Sequence, residues 1–184
     1  MVNASTKFER DKTEYYPTPP DVTASLLRRL NIPNGTQIWE CACGEGFMAE
    51  AMIGKGYKVY ATNLHDQGYG EVGKDFLTTG DQNLDWIITN PPFKLADKFI
   101  EHAASFEKKK HFAFLLKNQY WHARKRTDLF RNNPPSLILA LNWRPDFLFG
   151  ARGGTPTMEV CWNVWFADDI SGRTIYEVLE RALN

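Results

Sequence analysis

Ile87-Ile88-Thr89-Asn90-Pro91-Pro92-Phe93 is an apolar strand brought to a stop by two prolines and an aromatic ring. Proline disfavours helix in the residue before it, so Asn90 and Pro91 are both driven to extended backbone, and the two prolines remove two amide donors. A stiff set of acceptors remains, the Asn90 side-chain oxygen and the Pro91 main-chain carbonyl, with the flat face of Phe93 beside them. Such a set suits a planar ring bearing an exocyclic NH2. A strand that simply ends in a turn can carry the same letters, since Asn-Pro is ordinary turn chemistry. The motif takes its meaning from its surroundings.

Upstream, Gln37-Ile38-Trp39-Glu40 reads as a short strand, and Cys41-Ala42-Cys43-Gly44-Glu45-Gly46 opens a helical run from Phe47 to Gly54. Glycines at a strand-to-helix turn let backbone amides approach a ligand, and a carboxylate at the strand's end can accept from a ligand amine or hydroxyl. A lone Gly-x-Gly is more often a plain turn. The order strand, glycine turn, helix, second strand (Tyr57 to Asn63), further strand and Asn-Pro-Pro-Phe is harder to obtain by chance.

These segments resemble the class I S-adenosylmethionine-dependent methyltransferases, specifically the DNA adenine-N6 methyltransferases of the small phage type, over about Tyr15 to Phe166. The resemblance implies a single-domain α/β, Rossmann-like fold, a mostly parallel doubly wound sheet with an antiparallel strand near the C-terminus. Glu40-Cys41-Ala42-Cys43-Gly44-Glu45-Gly46 resembles the family's cofactor loop, with Cys41 where proline is usual, and implies cofactor contacts from Glu40, Ala42, Cys43, Gly44 and Gly46. Tyr16-Pro17-Thr18-Pro19-Pro20 is similar to the N-terminal Thr-Pro motif, which places Tyr16, Thr18 and Pro19 against the methionine end of the cofactor. Gly73-Lys74-Asp75-Phe76-Leu77 is similar to the segment whose Asp meets the cofactor's adenine amine, Asp75 here, with Phe76 packing nearby. Asn90 borders both cofactor and substrate, and Asn90, Pro91, Pro92 and Phe93 form the implied catalytic set. Where the family has an acid to hold the ribose hydroxyls, this chain has Asn63. An asparagine accepts less strongly than a carboxylate, and Asp66 is a candidate to compensate.

The motif order, Thr-Pro before glycine loop before Asn-Pro-Pro-Phe, resembles the gamma arrangement. About ninety residues follow the catalytic motif, most of them needed to finish the sheet, so recognition of DNA is expected to be short or relaxed. The target base must leave the duplex to reach the acceptors, and Phe93 is expected to stack on it. No metal is required. Asn-Pro-Pro followed by an aromatic also occurs in methyltransferases of RNA bases and of protein glutamine, and a noncatalytic cofactor- or DNA-binding partner could keep the same fold.

Composition agrees with one compact domain spanning residues 1–184, the first fourteen expected to be flexible. Of the 184 residues 43% are hydrophobic, enough for a sizeable core. Lys plus Arg and Asp plus Glu number 22 each, so no global basic field announces a nucleic acid and any attraction to phosphate must be local. Three cysteines suggest neither a disulfide framework nor zinc spacing, and fit a reducing cytoplasm. No apolar run approaches the ~20 residues of a membrane span, and the polar start Met1 to Asp11 lacks a signal-peptide profile.

Periodicity predicts helices over Asp21 to Leu30 and Ala96 to Phe106, and strands at Gln37 to Glu40, Tyr57 to Asn63, Asp85 to Thr89, His111 to Leu116, Ser136 to Asn142 and Met158 to Phe166. Ile175, Val178, Leu179 and Leu183 predict a closing amphipathic helix. Alternating strands and helices argue for a parallel sheet with ligands beyond the carboxyl ends of its strands. After one of those strands, Lys117-Asn118-Gln119-Tyr120-Trp121-His122-Ala123-Arg124-Lys125-Arg126 mixes cations with aromatics as a DNA-tracking loop would, with Lys117, Asn118, Trp121, Arg124, Lys125 and Arg126 as the contacts. Asn142 to Pro145 and Ala151 to Thr155 read as a second loop over the pocket, adding Arg144 and Arg152. Lys108-Lys109-Lys110 reads as a solubilising turn. The four histidines are scattered and read as surface or packing residues, and Trp162 and Trp165 as core or pocket wall.

Overall fold

Pro20 opens helix α1 (Pro20–Leu30), where its missing amide costs nothing and its fixed φ suits the first turn. The helix stops at Asn31, whose left-handed φ of 48° lets its amide donate to the Leu27 carbonyl at 3.0 Å. A computed structural model describes residues 16–149 and 155–182. Beyond α1 come β1 (Gln37–Glu40), α2 (Phe47–Ile53), β2 (Lys58–Asn63), β3 (Glu71–Val72), β4 (Trp86–Thr89), α3 (Ala96–Ala104), β5 (His111–Lys117), α4 (Thr127–Asn132), β6 (Leu137–Leu141), β7 (Val160–Trp165) and β8 (Ile175–Leu179).

The strands pair in the order β3-β2-β1-β4-β5-β7-β6-β8. Strand β7 is antiparallel to β5 and β6, and every other pairing is parallel. The expected mostly parallel sheet with an antiparallel strand near the C-terminus is therefore the observed one. Both faces are covered. Ile38, Ile88, Ala113, Leu115, Trp162 and Val164 pack with Val22, Leu26, Met48 and Met52 of α1 and α2. Trp39, Ile87, Phe112, Phe114 and Trp165 pack with Phe99, Ile100 and Ala103 of α3. Successive strand residues thus serve opposite cores, as the two-residue period of a strand requires. The Trp162 indole donates to the Val22 carbonyl at 3.2 Å and binds β7 to α1, in keeping with the core role expected for that residue.

Two expectations fail here. The predicted closing helix is strand β8, paired with β6 from Ile175 opposite Leu137 to Leu179 opposite Leu141; Leu183, its last predicted apolar position, lies outside the described residues. The i, i+3, i+4 spacing of Ile175, Val178 and Leu179 imitates a helix, but β-branched and aromatic residues at 174–178 favour a strand, and β6 offers it an open edge. Glu177 then meets Arg29 of α1 through two hydrogen bonds of 2.8 Å. Second, the lysine run is only partly a solvated turn. Lys110 is 6% exposed and pairs with Asp81 at 3.2 Å, because the loop after Phe76 packs over the start of β5.

The strand assignment separates two neighbours that a helix would place on one apolar face. Leu179 is 4% exposed and Val178 is 66% exposed. Leu179→Ala is expected to cost ~2 to 5 kcal/mol in denaturant unfolding and Val178→Ala under about 0.5 kcal/mol. Equal losses at both positions would restore the helix.

Candidate active site

The order of strands reverses between β1 and β4, and at such a switch point the diverging loops leave a crevice beyond the strands' carboxyl ends. Glu40 ends β1 and Asn90 follows β4, so both stand at that crevice. They line a single cavity of about 350 Å³, a size suited to a small-molecule site.

Glu40 is 1% exposed. One carboxyl oxygen, Oε1, accepts the Thr89 hydroxyl and the Ala42 amide, while Oε2 is buried with no hydrogen-bond partner. Burial pushes the Glu40 carboxyl up to about 8, against the opposing pull of the Thr89 and Ala42 hydrogen bonds. The same burial, helped by the neighbouring Glu40, raises the Cys43 thiol to about 12 and Cys41 well above its ordinary value. Neither thiol is an activated nucleophile. After the strand, Gly44 and Gly46 take positive φ values of 56° and 87°. A Cβ on Gly46 would lie 2.4 Å from the Tyr69 ring. Gly46 is therefore required by a packed tyrosine as much as by any ligand, and neither it nor Gly44 lines the cavity.

The amide of Asn90 is held in one orientation. Its Nδ2 donates to the Tyr16 carbonyl at 3.1 Å and to the Thr18 hydroxyl at 3.0 Å. A carbonyl can only accept, so the nitrogen must face Tyr16 and the oxygen is the atom offered elsewhere. The Pro92 carbonyl accepts from the Leu95 amide at 2.8 Å in the turn leading to α3. Phe93 stacks on Tyr16, with ring centroids 5.8 Å apart and planes inclined by 29°, and carries the Lys117 ammonium 4.9 Å from its own centroid. Tyr16 meets Phe147 edge-on at 6.1 Å, and Phe149 packs on Phe47 at 5.1 Å. Phe147 and Phe149, between the two stretches expected to form a loop over the pocket, thus touch residues of the cavity wall, whereas Asn142, Trp143 and Arg144 border a different cavity.

All four residues of the expected catalytic set line the cavity, as do Tyr16, Thr18, Glu40, Ala42, Cys43, Asn63, Asp75 and Phe76. Pro19 does not; it is buried and its carbonyl accepts from Val22 at the start of α1. Phe76 is 2% exposed, edge-on to Trp39 at 5.2 Å and tilted on Phe99 at 4.7 Å. Sequence reasoning did not single out Phe47, Met48, Leu64, His65, Gln67 and Lys74 as site residues, though they are also part of the wall. Each adjoins a quoted motif, and adjacency was the available signal. Asp66 is exposed and not part of that wall; its Oδ1 accepts the Gly68 amide at 2.9 Å.

The segment after β5 divides by role. Lys117 reaches Phe93, while Arg124 and Lys125 are exposed. Trp121 is not a free stacking platform: its indole donates to Asn163 at 2.7 Å and its ring packs edge-on with Tyr120 and Phe130. Arg126 is also engaged, donating to the Tyr120 carbonyl at 2.7 Å with its guanidinium 4.0 Å from that ring's centroid. Arg144 pairs with Glu159 at 2.5 Å. Asn118, Asn142, Arg144 and Glu159 border a second, shallower cavity of about 590 Å³. Arg152 lies outside the described residues. Among the described residues no group of three His, Cys, Asp or Glu side chains is placed to hold a metal ion, and no helix is long and apolar enough to cross a membrane.

No protein-family model matches the chain, and no curated protein matches it in sequence. Solved structures do. A candidate RNA methyltransferase from Pyrococcus horikoshii superposes with a TM-score of 0.64 at 15% identity, over 83% of this chain and 86% of that one. A candidate class I S-adenosylmethionine-dependent methyltransferase from Listeria monocytogenes gives 0.60 at 14% identity, over 92% of this chain and 66% of that one. The modification subunit of a candidate type I restriction enzyme from Vibrio vulnificus gives 0.58 at 15% identity, over 92% of this chain and 48% of that one. This chain therefore spans most of the first protein but about half of the restriction subunit. With the sheet order and switch-point cavity already described, these likenesses establish that the chain has the Rossmann-like fold of the class I methyltransferases.

Proposed function

We propose that the chain is an S-adenosylmethionine-dependent methyltransferase acting on the N6 amine of adenine in DNA, the target base turned out of the helix into the site at Asn90-Pro91-Pro92-Phe93. The observation that carries this reading is the Asn90 amide: pinned through its nitrogen, it offers only oxygen, beside the Pro91 carbonyl and in the same cavity as Glu40.

The residues present fit the cofactor. The orphaned Glu40 Oε2 is an acceptor that lacks a donor, and the α-ammonium of the methionyl group is a donor that needs one. Bound S-adenosylmethionine would supply a methyl group made electrophilic by its sulfonium, the S–CH3 bond breaking to release S-adenosylhomocysteine as the N–CH3 bond forms and the amine's surplus proton passing to solvent. The protein must then align an amine in line with it. An adenine amine is a poor nucleophile because its lone pair is shared with the ring. Oxygens of Asn90 and Pro91 that bind its two N–H groups draw the nitrogen toward tetrahedral geometry, aim the lone pair and stabilise the positive charge that develops on transfer. Phe93 offers the base a ring face, for which Lys117 must move aside or follow a phosphate. Lys117, Arg124 and Lys125 are the cations available for the DNA backbone; Trp121 and Arg126 serve by fixing the segment that carries the other two.

Incubation with tritiated S-adenosylmethionine and separate DNA, RNA and protein acceptors tests the substrate, and digestion of labelled DNA to nucleosides tests the atom. Label in N6-methyladenine is expected. Label confined to RNA, to protein glutamine or to N4-methylcytosine would replace the DNA adenine reading, and no label with any acceptor would favour a noncatalytic binder. Asn90→Ala is expected to lower kcat by about 100- to 1,000-fold with cofactor affinity within a few-fold of the parent. Phe93→Ala is expected to weaken engagement of the DNA by ~1 to 3 kcal/mol.

Glu40 adds a dependence on pH. Its carboxyl is about 8 in the free protein against an ordinary 4.5, so the folded chain holds a proton that the unfolded chain has lost between those values. Stability from this group is complete below 4.5 and is lost as pH rises toward 8. Glu40→Gln is expected to flatten that part of the difference in Tm between pH 5 and 8. An arriving ammonium favours the carboxylate, so cofactor binding near pH 6 is expected to release a proton. Calorimetry in buffers of different ionisation enthalpy measures the release, and an unchanged signal in Glu40→Gln would contradict the role.

A further inference from the structure

We propose that the second, shallower cavity seats the nucleobase next to the target adenine on the same DNA strand, packed on Trp143 and Tyr176 and met at its edge by Asn118 and Asn142, an inference that rests on the DNA reading above. The sheet puts both cavities on one rim. Strand β7 runs against its neighbours, so its start lies level with the ends of β4, β5 and β6: Lys117 of β5 stands opposite Val160, and the Asn118 amide donates to the Glu159 carbonyl at 3.0 Å. Asn118, Asn142, Trp143 and Glu159 therefore lie beyond the same edge as Asn90. Strands β5, β7 and β6 follow β4 in that order, so the cavity begins one strand from the Asn90 site and ends three strands from it, roughly 5 to 15 Å along the rim. An adjoining nucleotide of an unpaired strand can span that step.

The lining suits a base. Trp143 and Tyr176 bring aromatic surface, and Tyr176 is 61% exposed. The Trp143 indole nitrogen is shut off from water, so what that side chain can offer the cavity is ring carbon, which stacks on any base. Discrimination falls to Asn118 and Asn142, exposed amides that each carry donors and an acceptor, as base edges do. Among the described residues the charges of this lining are Arg144 and Glu159, and they neutralise each other in an ion pair, so the cavity favours a neutral ring over a phosphate. The phosphate has a place of its own. The Lys117 ammonium lies 4.9 Å from the Phe93 centroid while the next residue, Asn118, borders the second cavity. A cation thus stands where the phosphate joining two seated nucleosides would pass. Stacking gained by the neighbouring base offsets part of the cost of turning the target out of the helix.

Fluorescence anisotropy of the full chain with labelled oligonucleotides, single-stranded and as duplexes, tests the seat without reading activity. Each carries one adenine in flanks randomised among C, G and T, and S-adenosylhomocysteine is present throughout. An abasic residue is placed immediately 5′ of the adenine, immediately 3′ of it, or at a remote position. The parent protein is expected to bind roughly 5- to 150-fold more weakly with the abasic residue on one adjoining side, the loss of one stacked base, and with unchanged affinity when it is remote. Trp143→Ala is expected to weaken binding of the intact pool and to show little further loss with the abasic residue, since base and ring act as one pair. Should that variant fail to fold, Tyr176→Ala, at an exposed side chain, reads the same ratio. Asn118→Ala combined with Asn142→Ala is expected to keep the abasic penalty and to flatten the base preference at that position, read by sequencing the bound pool. A parent indifferent to the abasic residue on both sides, or a folded Trp143→Ala or Tyr176→Ala that keeps the whole penalty, would overturn this inference alone. A parent that binds none of the oligonucleotides, or binds only their RNA counterparts, would overturn the DNA reading as well.

Discussion

A pair of hydrogen bonds from the Asn90 amide nitrogen, to the Tyr16 carbonyl and the Thr18 hydroxyl, decides what the site can do. An asparagine side chain offers a donor at one end and an acceptor at the other, and an unpinned amide could present either. The carbonyl of Tyr16 takes the donor end and leaves oxygen for the cavity. The segment ahead of α1 is thereby more than a lead into a helix: it sets the polarity of the Asn90 amide. Tyr16 also stacks on Phe93 and meets Phe147, so one residue aligns the amide, the aromatic face and the loop after β6.

The second constraint is the burial of Glu40. Most carboxylates stay in water, and one that is buried keeps its proton unless a cation or several donors compensate. Thr89 and the Ala42 amide satisfy one oxygen and leave the other bare, an arrangement that favours a cationic ligand over an anionic one. Thr89 immediately precedes Asn90, so the same strand that carries the acceptor motif also orients the carboxyl of β1. The Glu40 and Asn90 sides of the cavity are joined through the Thr89 hydroxyl and the β1–β4 pairing and are not merely close.

Much of this was legible in the chain because it is local. Prolines at 19, 20, 91 and 92 mark where elements start and stop, the positive φ of Gly44 and Gly46 follows from the strand-to-helix turn, and alternating apolar residues locate the strands. What was not legible depends on partners far away in sequence. Tyr69 explains Gly46, Asn163 removes Trp121 from the set of free aromatics, and Asp81 draws Lys110 out of solvent. β8 was misread because its spacing of apolar residues fits a helix until the free edge of β6 is in view.

The claim that the Asn90 oxygen and the Glu40 carboxyl face one bound cofactor is tested most directly by a crystal structure with S-adenosylhomocysteine. The account predicts the ammonium within hydrogen-bond distance of Glu40 Oε2 and the sulfur on the side of the cavity toward the Asn90 oxygen. A ligand seated elsewhere, or one that leaves Glu40 Oε2 bare and turns its sulfur away from Asn90, would contradict it.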